Sequence, residues 1–220
     1  RRKGLFIKLA LMTYDLSKEE GMHFLFGIPN ENSYPGFVKN LNWIHAGNLQ
    51  KFEFKIFMLP FSQIFRKSEI LNSFYQLWVS FILLLFPKGD TDLLKPNVST
   101  PYFGIDRSRS FFLYKNYDKK HIIKVLGKSV WLKFEGTLKI GEIEKLSIEE
   151  LTRIIGRLKI IAFFTGINKI QYQCSKNSGL FPVFTSIKKA EEALPIIFLN
   201  LSLKVIAENL VLSFADFDTF

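Results

Sequence analysis

The chain opens on Arg1-Arg2-Lys3-Gly4-Leu5-Phe6, three cations and a glycine set directly before an amphipathic run. Amides at a helix start have no partner within the helix and carry partial positive charge. A glycine lets a ligand approach the backbone, and flanking cations strengthen the field. Together these features suit a diphosphate. Farther along, Gly27-Ile28-Pro29-Asn30-Glu31-Asn32-Ser33 supplies turn and cap side chains before a short stretch holding Phe37, Leu41 and Trp43.

Other chemistries find less in the sequence. His23, His45 and His121 lie on separate elements and Cys174 is the single cysteine, so zinc-ligand spacing is absent and no metal is expected. There is no Gly-x-Ser-x-Gly elbow and no Gly-x-x-x-x-Gly-Lys loop. Between Asp106 and His121, Arg107, Arg109, Lys115, Lys119 and Lys120 alternate with Phe111, Phe112, Tyr114 and Tyr117. That stretch reads either as a nucleic-acid surface or as a strand pair with aromatics inward and cations outward, and the second is expected. Asp216 and Asp218 are either acceptor-binding carboxylates or solvated ones.

The elements that must position these residues follow from periodicity. Leu5, Leu9, Met12 and Leu16 predict a helix over 5–17 closed by Gly21, and the apolar run 22–28 predicts a buried strand. Asn30, Asn32 and Ser33 cap a second, short helix that Asn42 ends, and Phe52, Phe54, Ile56 and Met58 mark a strand. Residues 70–86 form a helix with a polar stripe of Asn72, Ser73, Gln76 and Ser80 and a wide apolar face, expected to pack between domains rather than to span a membrane. Pro87, Gly89, Pro96 and Pro101 mark a connection. Strands are predicted over 110–117, 121–126, 130–135 and 137–143. Next comes a helix with a Ser147/Glu150 capping box and an inner face of Leu151, Ile154, Ile155, Leu158, Ile161 and Ala162, ending at Gly166. Strands over 170–174, 195–201 and 210–217 close the chain. The expected fold is α/β with a mixed sheet, in three parts: 1–60, an interdomain helix and linker over 61–99, and 100–220.

Composition narrows the class. Among 220 residues, 48% are hydrophobic and 23% charged, which excludes disorder as the main state. The net charge of +10 favours anionic partners such as phosphorylated cofactors. One cysteine excludes an internal disulfide framework and fits a cytoplasmic protein. The chain begins at Arg1 without a leader pattern and reads as the C-terminal part of a longer protein.

Residues 1 to 60 resemble the GNAT superfamily of acyl-CoA-dependent N-acyltransferases. That family's cofactor loop reads Arg/Gln-x-x-Gly-x-Gly/Ala ahead of a helix, a strand and an Asn-led short helix. Arg1-x-x-Gly4-x-Phe6 matches except at the sixth position, and the segment from Asn30 follows at the expected distance. The resemblance implies that the amides around Lys3, Gly4, Leu5 and Phe6 bind the diphosphate of acetyl-CoA, with charge from Arg1, Arg2 and Lys3. Asn30 and Ser33 would contribute on the pantetheine or adenine side. The family's general-acid tyrosine aligns with Phe37, leaving Tyr34 as the nearby substitute, and the family's oxyanion donor and general base fall upstream of Arg1. Before Ser147, Glu142-Ile143-Glu144-Lys145-Leu146 has no glycine loop and is acidic, so 100–220 is expected to be a degenerate second GNAT-like domain.

The function implied is transfer of an acetyl group from acetyl-CoA to a small amine of amino-sugar or amino-acid type, with no nucleic-acid partner and no stable membrane span. The alternative is a non-catalytic GNAT-like module binding a partner or an acidic ligand. A third reading is a membrane-surface protein using the 70–86 helix with Arg66, Lys67 and Lys88.

Overall fold

The structure is a computed structural model describing residues 2–65, 67–95, 100–115, 120–202, 205–217 and 220, with Arg2 and Lys3 described as backbone only. Arg1, Arg66, Tyr117, Lys119 and Asp218 lie outside these residues. The elements are α1 (Arg2–Glu19), β1 (Phe24–Gly27), α2 (Tyr34–Asn40), β2 (Ile44–Lys55), α3 (Phe61–Phe65), α4 (Glu69–Leu83), β3 (Phe103–Gly104), α5 (Arg109–Lys115), β4 (Lys120–Val125), β5 (Lys128–Phe134), β6 (Leu138–Ile143), α6 (Ile148–Phe164), β7 (Lys169–Cys174), α7 (Phe181–Ile187), β8 (Glu191–Asn200) and β9 (Leu210–Val211). The mixed α/β fold expected from the sequence is the one that forms.

Two compact units divide the chain, residues 1–49 with 192–210 and residues 50–191 with 211–220. Neither boundary falls at 60 or 100. The first unit is discontinuous because its sheet runs β1-β8-β2, with β8 arriving from far along the chain. β1 and β8 pair antiparallel from Phe24↔Asn200 to Gly27↔Ile197. Tyr14, Leu41, Trp43 and Ile197 form its core, with Ile7, Ala10 and Phe37 packed against them. In α1 the buried stripe is therefore Ile7, Ala10, Tyr14 and Ser17, whereas Leu5, Leu9, Met12 and Leu16 are exposed. Both stripes obey the helical period, and burial of the bulky Tyr14 beside Trp43 selects between them.

In the second unit the order is β2-β7-β6-β5-β4. The pairs are antiparallel except β6 with β7, which the crossover helix α6 makes parallel. α6 buries the six apolar positions expected of it, and its Ser147/Glu150 capping box is present. From the 61–99 segment, Tyr75, Val79 and Leu83 of α4 belong to this unit's core, in one cluster with Val130, Ile140 and Ile154. α4 does not bury its wide apolar face. Phe74, Leu77, Trp78 and Phe81 are exposed, and Asn72, Gln76 and Ser80 of the polar stripe are half-buried. Among the described residues no helix is long and apolar enough to cross a membrane.

Two expected strands are replaced. The described part of 110–117 is the helix α5, which turns Phe112 and Lys115 inward three residues apart. The 210–217 stretch contains only β9 and then a 3-10 turn over Phe214–Asp216. Runs this short do not separate strand from helix by period, and α3 and α7 escape sequence reading for the same reason. Residues 212–213 bridge the place where β6 and β7 stop pairing, beyond Ile140↔Tyr172. Ser213 Oγ donates to the Gly141 carbonyl at 3.0 Å, and the Ser175 amide donates to the Leu212 carbonyl at 2.9 Å. A Cβ on Gly141 would sit 2.3 Å from the Phe220 ring, so only glycine lets that ring close the gap.

Candidate functional site

In the first unit, Phe6, Asn30 and Ser33 line one hollow of about 710 Å³, together with Asn32, Pro35, Gly36, Lys39 and Asn40. The hollow joins side chains from α1, the turn after β1 and α2. The Asn30 side chain builds that turn, because its Oδ1 accepts hydrogen bonds from the Asn32 and Ser33 amides at 3.0 Å and from Ser33 Oγ at 3.1 Å. Ser33 stands at the start of α2 but makes no side-chain cap bond, and Asn30 holds the turn ahead of the helix rather than capping it. The Phe6 ring meets Phe37 edge to face at 5.2 Å. Its edge lies 3.3 Å from where Gly36 would carry a Cβ, and a larger residue there would push the ring out of the wall.

α1 begins at Arg2 rather than Leu5, which revises the expected anion cradle. Lys3 to Phe6 are all helical residues rather than a loop ahead of a helix. Leu5 is exposed, and the contribution of Phe6 is its ring. Arg1 and the side chains of Arg2 and Lys3 lie outside the description. Lys39, three residues beyond Gly36 on α2, places an exposed cation on the hollow that the motif comparison did not include.

Tyr34 is not part of the lining. Its phenolic oxygen lies 3.2 Å from Nδ1 of His45 on β2, with the rings edge to face at 5.8 Å. His45 gave no signal as a functional residue, since the partnership depends on α2 folding back along β2.

The second unit offers no equivalent anion site at α6. The Glu150 carboxylate accepts from the Ser147 amide at 2.8 Å, and the Glu149 carboxylate accepts from Ser147 Oγ at 2.7 Å. Two carboxylates thus occupy the helix start. Asp216 is a buried partner of Arg107, not an acceptor-binding or solvated carboxylate, and Arg107 is not an outward cation. The guanidinium donates to Asp216 through Nε and Nη2, to Glu142 at 2.6 Å, to Ser213 Oγ at 2.6 Å and to the Leu94 carbonyl at 2.9 Å. Burial alone would lower its pKa, and the charges of Glu142 and Asp216 overcome this and raise it, so the cation is permanent. Burial first, and then the Glu142 charge, push the Cys174 thiol well up, which removes it as a nucleophile. Among the described residues no group of three or more His, Cys, Asp and Glu side chains could hold a metal ion.

No family profile matches the chain, and no curated protein matches it. Among solved structures it is similar to a GCN5-related N-acetyltransferase from Kribbella flavida, with 11% identity and a TM-score of 0.42 over 86% of this chain and 46% of that one. It is also similar to a GCN5-related N-acetyltransferase from Anabaena variabilis (12%, 0.41, covering 89% and 50%). A third similar structure is a conserved protein of unknown function from Enterococcus faecalis (13%, 0.41, 89% and 49%). The chain spans about half the length of these structures.

Proposed function

We propose that the chain carries the cofactor-binding half of a GNAT-type N-acyltransferase, and that the hollow beside α1 receives acetyl-CoA. The observation that supports this most is the convergence of Phe6 of α1 with Asn30 and Ser33, more than twenty residues later, on one concavity. Lys39 gives the hollow a cation suited to a diphosphate, and Asn30 holds its turn rigid. Acetyl-CoA would supply the thioester. An amine attacking that thioester would release its proton as the C–N bond forms and the C–S bond breaks, and the departing thiolate would take one up, for which Tyr34 beside His45 is the candidate donor. The acceptor is a small amine of amino-sugar or amino-acid type. Residues 100–220 serve as a companion without cofactor, since the start of α6 is closed by carboxylates.

Calorimetric titration with CoA tests the reading. Gly4→Glu fits sterically, because nothing lies within 4 Å of its Cβ position, and an acid in the first turn of a helix favours folding. It nevertheless places a carboxylate against the diphosphate. Binding by the unmodified chain, weakened about tenfold or more in Gly4→Glu and in Asn30→Asp, is the expected result. Equal binding in all three chains, or none in any, would overturn the assignment.

A further inference from the structure

A second cavity, of about 970 Å³, lies wholly within the second unit. Its walls come from the end of α4, the 86–92 segment, α5, β4 and Trp131 of β5. Backbone bonds fix this frame: the Gly89 amide donates to the Ile122 carbonyl at 3.0 Å and the Lys124 amide to the Pro87 carbonyl at 2.8 Å. Leu83, Phe112, Ile123 and Trp131 are all buried and give it an apolar floor, with the Phe112 and Trp131 rings 4.7 Å apart.

The polar lining is strongly one-sided in charge. Lys88, Arg109, Lys120 and His121 contribute to it, and Asp92, the single carboxylate of the lining among the described residues, is already bound to Lys95 at 2.7 Å. Arg107 also borders the space, but all five of its N–H groups are spent on Glu142, Asp216, Ser213 and the Leu94 carbonyl. The side chains of Lys88 and Arg109 have no ion-pair partner among the described residues. A cavity of this size with an apolar, aromatic floor and the cations Lys88 and Arg109 at its rim suits an apolar chain ending in an anion.

We propose that this cavity binds a single-chain fatty carboxylate, its tail over Phe112 and Trp131 and its head at the rim that carries Lys88 and Arg109. Medium-length tails gain affinity with each methylene taken out of water, by about fourfold per group. The carboxylate gains from charge-assisted hydrogen bonds that an alcohol of the same length cannot make.

Calorimetry on the full chain with dodecanoate, decanoate, dodecanol and dodecyl phosphate, each below its micelle concentration, tests the proposal. Dodecanoate is expected to bind about tenfold or more tighter than decanoate and than dodecanol. The double variant Lys88→Gln/Arg109→Gln should lose at least tenfold. Leu113→Glu, an exposed lining position that tolerates a polar residue, should lose binding while the circular dichroism stays unchanged. Leu77→Asp, on the exposed apolar face of α4, should leave binding intact. The proposal is overturned if dodecanol equals dodecanoate, if the double variant binds normally, or if Leu77→Asp alone abolishes binding. Tighter binding of dodecyl phosphate than of dodecanoate would replace the carboxylate with a phosphorylated lipid and overturn that part.

Discussion

Tyr34 and His45, eleven residues apart in sequence, are held in a single hydrogen-bonded pair with an O···N distance of 3.2 Å. For a phenol that must give up a proton and recover it, a neighbouring imidazole both orients the ring and offers a route for return of the proton. Tyr34→Phe keeps the packing and removes the proton, so it should lower kcat for CoA release by about 10²-fold or more with little change in KM for acetyl-CoA. His45→Ala should cost less, about tenfold, because it loosens Tyr34 without deleting the phenol. Thiol release across a panel of small amines reads both effects, and full activity of Tyr34→Phe would remove Tyr34 from the chemistry.

Arg107 joins Glu142 and Asp216 inside the second unit, across 35 and 109 residues of sequence. Replacing it with Met leaves two carboxylates buried without their cation, which should cost about 3 to 5 kcal/mol in urea unfolding. Cys174 reports the same event independently, because the single thiol of the chain is wholly buried and its proton is tightly held. Alkylation by iodoacetamide therefore waits for the unit to open, and Arg107→Met should accelerate it by about two to four orders of magnitude, the equilibrium shift of such a loss. Unchanged labelling would mean that this ion cluster does not hold the unit closed.

Acid should weaken the hairpin that joins β5 to β6. Burial tends to raise the Glu135 pKa, but hydrogen bonds from Lys133 and Lys139, each at 2.7 Å, outweigh it and lower the carboxyl below its ordinary value. A carboxyl with a depressed native pKa takes up its proton first in the unfolded chain. Its contribution is thus complete above the ordinary carboxylate range and is lost as pH falls through the native value. Urea midpoints recorded from about pH 7 down to about pH 2 should fall less steeply for Glu135→Gln than for the unmodified chain, the difference opening below about pH 4.5. Parallel curves would show that the two lysines contribute nothing through this group.

What the sequence made legible was local. The α6 capping box and its six inward positions depend on neighbours within a few turns, and they stand where periodicity puts them. Asn30 and Ser33 could be read as turn residues because Asx chemistry acts over two or three positions. α1 had the right period but two competing apolar faces, and only Trp43, well beyond the helix, decides between them. His45 and the Arg107 cluster were silent because their partners come from other elements, and nothing in a single strand or turn announces a partner a hundred residues away. β8 was recognised as a strand, but its seat between β1 and β2 has no local signature.

That seat limits how the protein can be taken apart. A fragment cut after residue 60 would carry β1 and β2 without the ribbon that sits between them and without β7 on the far side of β2, leaving raw borders primed to stick to other chains. During synthesis the same vacancy persists until residues 192–200 emerge, so the front of the chain must wait for its back before it can settle.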